Sequence, residues 1–213
     1  MSRKFLVWDL PTRLFHWLLA ASFLGAWWIS ESERWRLSHA LLGVTVIVLV
    51  CFRVFWGAFG SGHARFATWT FAPARVLGYF RAILRRQPEH YVGHNPAGAW
   101  AVLALMVLTL ATAVSGWIAF SLDVPEAVAE VHEVLATLTL WLVGVHVTAV
   151  VLSSVLHRES LIGGMLHGFK RADGPTGAQQ RVWVGVILLA VVLAILIGWI
   201  PLPGIRAGAS LLS

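Results

Sequence analysis

Apolar positions along this chain fall in long runs rather than in alternation. Five runs, residues 14–30, 37–56, 98–120, 131–156 and 182–200, carry almost no charge. A helix rising about 1.5 Å per residue needs roughly 20 residues to cross a hydrocarbon core of about 30 Å, so each run predicts a spanning helix, the first only just long enough. Pro11 suits the start of the first helix, the glycines of GAFGSG (57–62) end the second, and Pro201 and Pro203 stop the fifth. The longest non-spanning region, 61–96, contains PARVLGYFRAILRR, in which arginines 75, 81, 85 and 86 lie beside Val76, Leu77, Phe80, Ile83 and Leu84. That pattern predicts an amphipathic helix in the plane of the headgroups. There is no internal repeat, and the fold class expected is an all-α, polytopic membrane helical bundle.

The first run has the outline of a secretory signal peptide, with basic residues ahead of an apolar core. It ends in Ala26-Trp27-Trp28 without a small-x-small cleavage site and holds His16 within it, so it reads as a retained helix. Composition agrees with a membrane protein: 58% of the 213 residues are hydrophobic and only 12% charged, too few charges to cover a soluble surface. One cysteine, Cys51, excludes an intrachain disulfide, a four-cysteine iron–sulfur site and the C-x-x-C-H attachment of a c-type haem. In its apolar run Cys51 reads as a small buried residue.

The net charge of +6 is not one nucleic-acid-binding patch. With five spans alternating sides, thirteen of the sixteen basic residues fall on the side of the N-terminus, leaving Arg34, Arg36 and Arg206 opposite. Positive charge is retained in the cytoplasm, so the N-terminus is expected inside a bacterial inner membrane and the C-terminus in the periplasm. Glu31, Glu33, Asp123, Glu126 and Glu130 then lie on the outer side. Tryptophans 8, 27, 28, 35, 56, 183 and 199 sit near span ends, where nearly all read as interfacial anchors.

Histidine supplies the candidate chemistry, because an ionisable group inside a membrane is costly and marks function. In EVHEVLATLTLWLVGVHV (130–147), His132 and His146 are fourteen residues apart, hence on one helix face and about 21 Å apart along its axis. They cannot share one iron. The topology puts His16 at the depth of His146, near the cytoplasm, and His39 at the depth of His132, near the outer surface. Two pairs at two depths suit two bis-histidine b-type haems better than zinc, which gathers its ligands into one tetrahedral cluster. Gly43 and Ala136, one turn after His39 and His132, leave room for a flat macrocycle. Arg53, fourteen residues after His39, lies at the inner depth, where it either pairs with a haem propionate or snorkels to headgroups. His63, His90, His94, His157 and His167 fall in loops and read as solvated, with a role in lining a quinone site as the alternative.

The ordered motifs VWDLPTRLFHWLL, RLSHALLG, RVFWGAFGSGHARF, YVGHNPAGAW and EVHEVLA…GVHV resemble the prokaryotic cytochrome b561 family, which includes the cytochrome b subunits of nickel–iron hydrogenases. The resemblance runs from Phe5 to Arg171. It implies a four-helix core holding two b haems, with His16, His39, His132 and His146 as iron ligands, in residues 1–171. Residues 172–213 then add a linker and a fifth spanning helix, for packing or for docking a partner. The resemblance also implies transmembrane electron transfer between the quinone pool, as ubiquinone or menaquinone, and a periplasmic cytochrome c, hydrogenase, other redox protein or small one-electron substrate. Two rivals are a haem-bearing anchor subunit of a separate catalytic complex and an intramembrane protease built on Ser61. The protease is disfavoured because no helical histidine is placed to activate that serine.

Overall fold

The computed structural model describes residues 3–85, 87, 89–172, 174 and 176–202. The elements in order are β1 (Arg3–Leu6), α1 (Leu10–Trp28), α2 (Arg36–Phe59), α3 (Pro73–Leu84), α4 (Pro96–Ser121), α5 (Ala127–Leu156), α6 (Leu161–His167), β2 (Phe169–Ala172) and α7 (Val182–Leu196), with three short 3-10 turns between α1 and α3. It is a helical membrane bundle. Among the described residues, three helices are both long and apolar enough to cross a bilayer: α2 with the turn before it (Glu33–Phe59), α4 and α5. The first expected span is helical too, but Arg13, His16 and its tryptophans dilute its hydropathy. The fifth is cut short, because Gly198 turns the backbone to φ 72°. That leaves α7 with 15 residues, or about 22 Å.

The chain divides into two compact units, and the boundaries fall inside helices. One unit takes the chain up to Arg13, with Val54–Leu105 and Leu142–Arg181; the other takes Leu14–Arg53, Met106–Trp141 and the chain from Val182.

The first unit holds an antiparallel ribbon that the hydropathy pattern does not announce. Lys4 faces Arg171, Phe5 faces Lys170 and Leu6 faces Phe169. Four-residue strands are too short for a period-two signal, and these partners are more than 160 residues apart in the chain. The Gly168 carbonyl extends the junction by accepting from the N–H groups of Val7 (2.8 Å) and Trp8 (3.1 Å). Gly168 itself has φ 89°, a left-handed conformation suited to glycine, and it ends α6. The ribbon brings the first strand and the segment after α6 to one end of this unit.

Asp9 organises the same end. It caps α1, its Oδ1 accepting from the Thr12 N–H at 3.0 Å. Its Oδ2 accepts from Trp56 Nε1 and from Ser61 Oγ, each at 3.0 Å. The carboxylate is 1% exposed. Trp8 and Trp56 are buried here and so are not the interfacial anchors expected of them, whereas Trp28, Trp183 and Trp199 are well exposed. Ser61 is likewise a buried tie: its hydroxyl donates to Asp9 and accepts from the Gln179 N–H. Replacing Asp9 by alanine strands three donors and should cost about 3 kcal/mol of stability, read as a lowered melting temperature in detergent. Asp9→Asn should recover part of it.

In the second unit α7 packs on α1 and α2. Leu188 and Val192 meet Phe15 and Leu49, and Ile195 meets Leu41 and Val44. One face of the fifth helix is therefore a packing face. Cys51 is exposed, contrary to its expected burial. The reason is rotation: it shares the i, i+3, i+4 face of α2 with exposed Val54 and Phe55, two residues round from fully buried Leu49. Thr112 of α4 and Thr139 of α5 lie buried with their hydroxyls 2.9 Å apart and pin those helices together.

Candidate functional site

Within the second unit the structure brings His39 and His132 together, their ring centres 6.1 Å apart and their planes nearly perpendicular at 88°. His39 stands in the first turn of α2. Its Nδ1 lies 2.9 Å from the Ala26 carbonyl, in the last turn of α1. Carbonyls there have no helical partner of their own and remain open to a side-chain donor. His132 stands near the start of α5, with Nδ1 2.9 Å from the Thr112 carbonyl of α4. Ser115 Oγ donates to the same carbonyl at 2.9 Å and stands 3.4 Å from that ring nitrogen.

A carbonyl only accepts, so each of these contacts fixes a proton on Nδ1. Each Nε2 then carries a lone pair, the tautomer that metal-bound histidine adopts when a backbone carbonyl orients it. The two imidazoles, close together and with this tautomer, would serve as nitrogen donors to one bound metal-containing group.

Besides His39 and His132, the pocket is lined by Ala40, Gly43 and Val44 of α2 and by Ala113, Gly116, Trp117 and Phe120 of α4, an apolar setting with two glycines. A Cβ on Gly43 would meet nothing within 4 Å, whereas one on Gly116 would stand 2.6 Å from Cε1 of His132. Gly116 thus lets the ring lie flat against α4, and Gly43 keeps the floor open. Among the described residues no three His, Cys, Asp or Glu side chains converge as a direct metal site, so a two-ligand prosthetic group suits this pair better than a bare ion.

The other expected residues take the following places. His16 is on α1 in the second unit, its ring edge-on to Trp17 at 4.9 Å. His146 is on α5 in the first unit and is half-buried. Arg53 is 2% exposed, with its guanidinium 6.0 Å from the Phe15 ring centre. That burial is at odds with snorkelling to the headgroups.

His63, His94 and His157 are partly covered, whereas His90 and His167 are exposed, as their sequence context suggests. His94 lies between Trp8 (4.8 Å) and Trp69 (4.5 Å), and His63 packs on Gly93. His90 and His157 stand 6.1 Å apart beside the Glu159–Lys170 ion pair of 3.1 Å. Burial, then the neighbouring charges of His90 and Lys170, pushes the His157 imidazole below its ordinary range, against an opposing pull from Glu159. Tyr91 donates to Glu89 at 2.5 Å, and this bond to a carboxylate pushes the phenol up to about 12. Sequence reasoning missed this cluster because its members come from three distant segments. It also missed the part played by α4. The signal there was the small, polar run Thr112 to Gly116 in an otherwise apolar span.

Compared with known proteins, the chain matches the family model described as prokaryotic cytochrome b561 over residues 7–168. It is 24% identical over 208 residues to a probable Ni/Fe-hydrogenase B-type cytochrome subunit of Rhizobium leguminosarum bv. viciae, covering 76% of this chain and 87% of that protein. It is 24% identical over 211 residues to the protein so described from Azotobacter vinelandii, covering 77% and 87%. No solved structure matches it.

Proposed function

Because the chain belongs to the prokaryotic cytochrome b561 family, and so is an integral membrane protein that moves electrons through b-type haem, we propose that it holds two such haems and links the quinone pool to a redox partner on the periplasmic side. His39 and His132 hold one group; His16 and His146, matched in depth by the charge-derived topology, hold the other. The observation that carries this reading is the His39–His132 pair, with both Nδ1 protons committed to carbonyls and both Nε2 lone pairs available. Haem iron supplies reversible one-electron exchange, with a potential set by its ligands, its burial and nearby charge. The chain contributes fixed tautomers, an apolar pocket and the charge of Arg53. Thirteen basic residues on one side orient the N-terminus to the cytoplasm of a bacterial inner membrane.

Arg53 is assigned to a propionate of the inner haem, guanidinium matching carboxylate geometry. A nearby cation disfavours the more positive, oxidised state, so Arg53→Leu should lower one midpoint potential by roughly 60 mV, a tenfold change for one electron. A redox titration followed in the visible bands checks this, and unchanged potentials would remove Arg53 from the site.

The likeness to two probable Ni/Fe-hydrogenase B-type cytochrome subunits favours a second reading, a haem-bearing anchor for a separate hydrogenase-type partner. One experiment tests both. Purified, haem-loaded protein is mixed with a reduced quinone and the haem bands are followed by stopped flow. Rapid reduction, with turnover once a one-electron acceptor is added, supports the free-standing quinone oxidoreductase. Reduction without turnover until a partner complex is supplied supports the anchor. Haem bands that never respond to quinol exclude the link to the quinone pool.

A further inference from the structure

Helix α3 is too short and too charged to span, yet it is bound firmly to the start of a helix that does. Its Tyr79 is buried, and the Tyr79 hydroxyl accepts from Asn95 Nδ2 at 3.0 Å. Asn95 in turn caps α4, its Oδ1 accepting from the Gly98 N–H at 2.7 Å. Trp100 of α4 donates from Nε1 to the Phe71 carbonyl, just before α3, at 3.1 Å. The first turn of a spanning helix marks the bilayer boundary, so α3 is held at headgroup level.

Its side chains divide into three sectors at about 100° per residue. Val76, Tyr79 and Ile83 form the sector turned to the protein, and all three are at least partly covered. The next sector is an exposed apolar stripe of Leu77 (51% exposed), Phe80 (50%) and Leu84 (83%). Beside it, on the side away from the protein sector, exposed Arg81 and Arg85 follow one turn apart.

We propose that α3 is a lipid-binding strut, its Leu77–Phe80–Leu84 stripe set among acyl chains and Arg81 and Arg85 on the phosphates of anionic phospholipid. The occupant follows from charge complementarity at fixed depth: two guanidiniums beside a greasy stripe match a headgroup phosphate above its own acyl chains. Bound lipid would steady the loop that leads into α4, because Asn95 joins the two helices.

The test uses the full, haem-loaded chain in nanodiscs, in a Cys51→Ser background that leaves a single introduced thiol. A spin label at Leu84→Cys is exposed to lipid-dissolved oxygen and to an aqueous nickel chelate. The bilayer is phosphatidylcholine, alone or mixed with phosphatidylglycerol. The label should collide with oxygen several-fold more often than with nickel, and more so when phosphatidylglycerol is present. Arg81→Gln with Arg85→Gln should abolish that added response while haem content stays unchanged, and the lysine pair should retain it. Arg85→Gln alone, at an exposed position, should reduce the response and serves as a second variant independent of the double change. Equal access to both reagents in both bilayers would overturn the proposal. So would shielding from both reagents, the mark of a covering protein, or a phosphatidylglycerol response that persists in the glutamine pair.

Discussion

Replacing His132 by alanine should halve the haem bound per chain, from two to one, and leave the remaining group with an ordinary low-spin b-type spectrum. His132 is held from behind by the Thr112 carbonyl and stands 6.1 Å from His39, ring centre to ring centre, so on the proposed ligation its loss would remove one of the two nitrogen donors to that haem. His39→Ala should have the same effect, and the double variant should do no further damage, because both residues serve one site. Ser115→Ala makes the internal control. Its hydroxyl stands 3.4 Å from His132 Nδ1 and donates instead to the carbonyl, so haem content should stay at two. Pyridine haemochromogen assays against protein concentration give the ratio. A His132→Ala protein that still binds two haems would take this histidine out of the ligand set.

Two glycines of the same pocket should fail in different ways. At Gly116 a Cβ would lie 2.6 Å from Cε1 and 2.8 Å from Nδ1 of His132. Gly116→Val must therefore displace the ring or part α4 from α5, where Thr112 and Thr139 meet. Overpacking of this kind costs about 1–3 kcal/mol, so a lower melting temperature should accompany loss of the haem. Gly43 has open space around its would-be Cβ and lines the pocket. Gly43→Phe should therefore spare the helical fold by circular dichroism and fill the volume the macrocycle needs, so that only haem is lost. Gly144→Ala, on α5 in open space, should change neither.

These effects rest on contacts the sequence displays unevenly. Run length and charge asymmetry are local properties, and from them the long helices were legible to within a few residues, whereas the seven-residue α6 read as loop. His39 and His132 could be paired because a helix converts residue number directly into depth. What fixes their tautomers was not legible, since the Ala26 and Thr112 carbonyls are backbone atoms with no signature in side-chain identity. Gly116 was hidden for a related reason: a missing side chain matters only once the neighbouring ring is placed. Cys51 and Trp56 were misjudged alike, because an apolar run shows that a helix is in the membrane and not which face turns inward. The ribbon of residues 3–6 with 169–172 joins the two ends of the core, and no local pattern encodes a pairing across that distance.

The most direct test of the central claim is the stoichiometry and ligation of haem in the purified chain. Pyridine haemochromogen should give two b haems per polypeptide, and near-infrared magnetic circular dichroism of the oxidised protein should place both in the bis-histidine class. A protein with one haem per chain, with none, or with a non-histidine axial ligand would contradict the account.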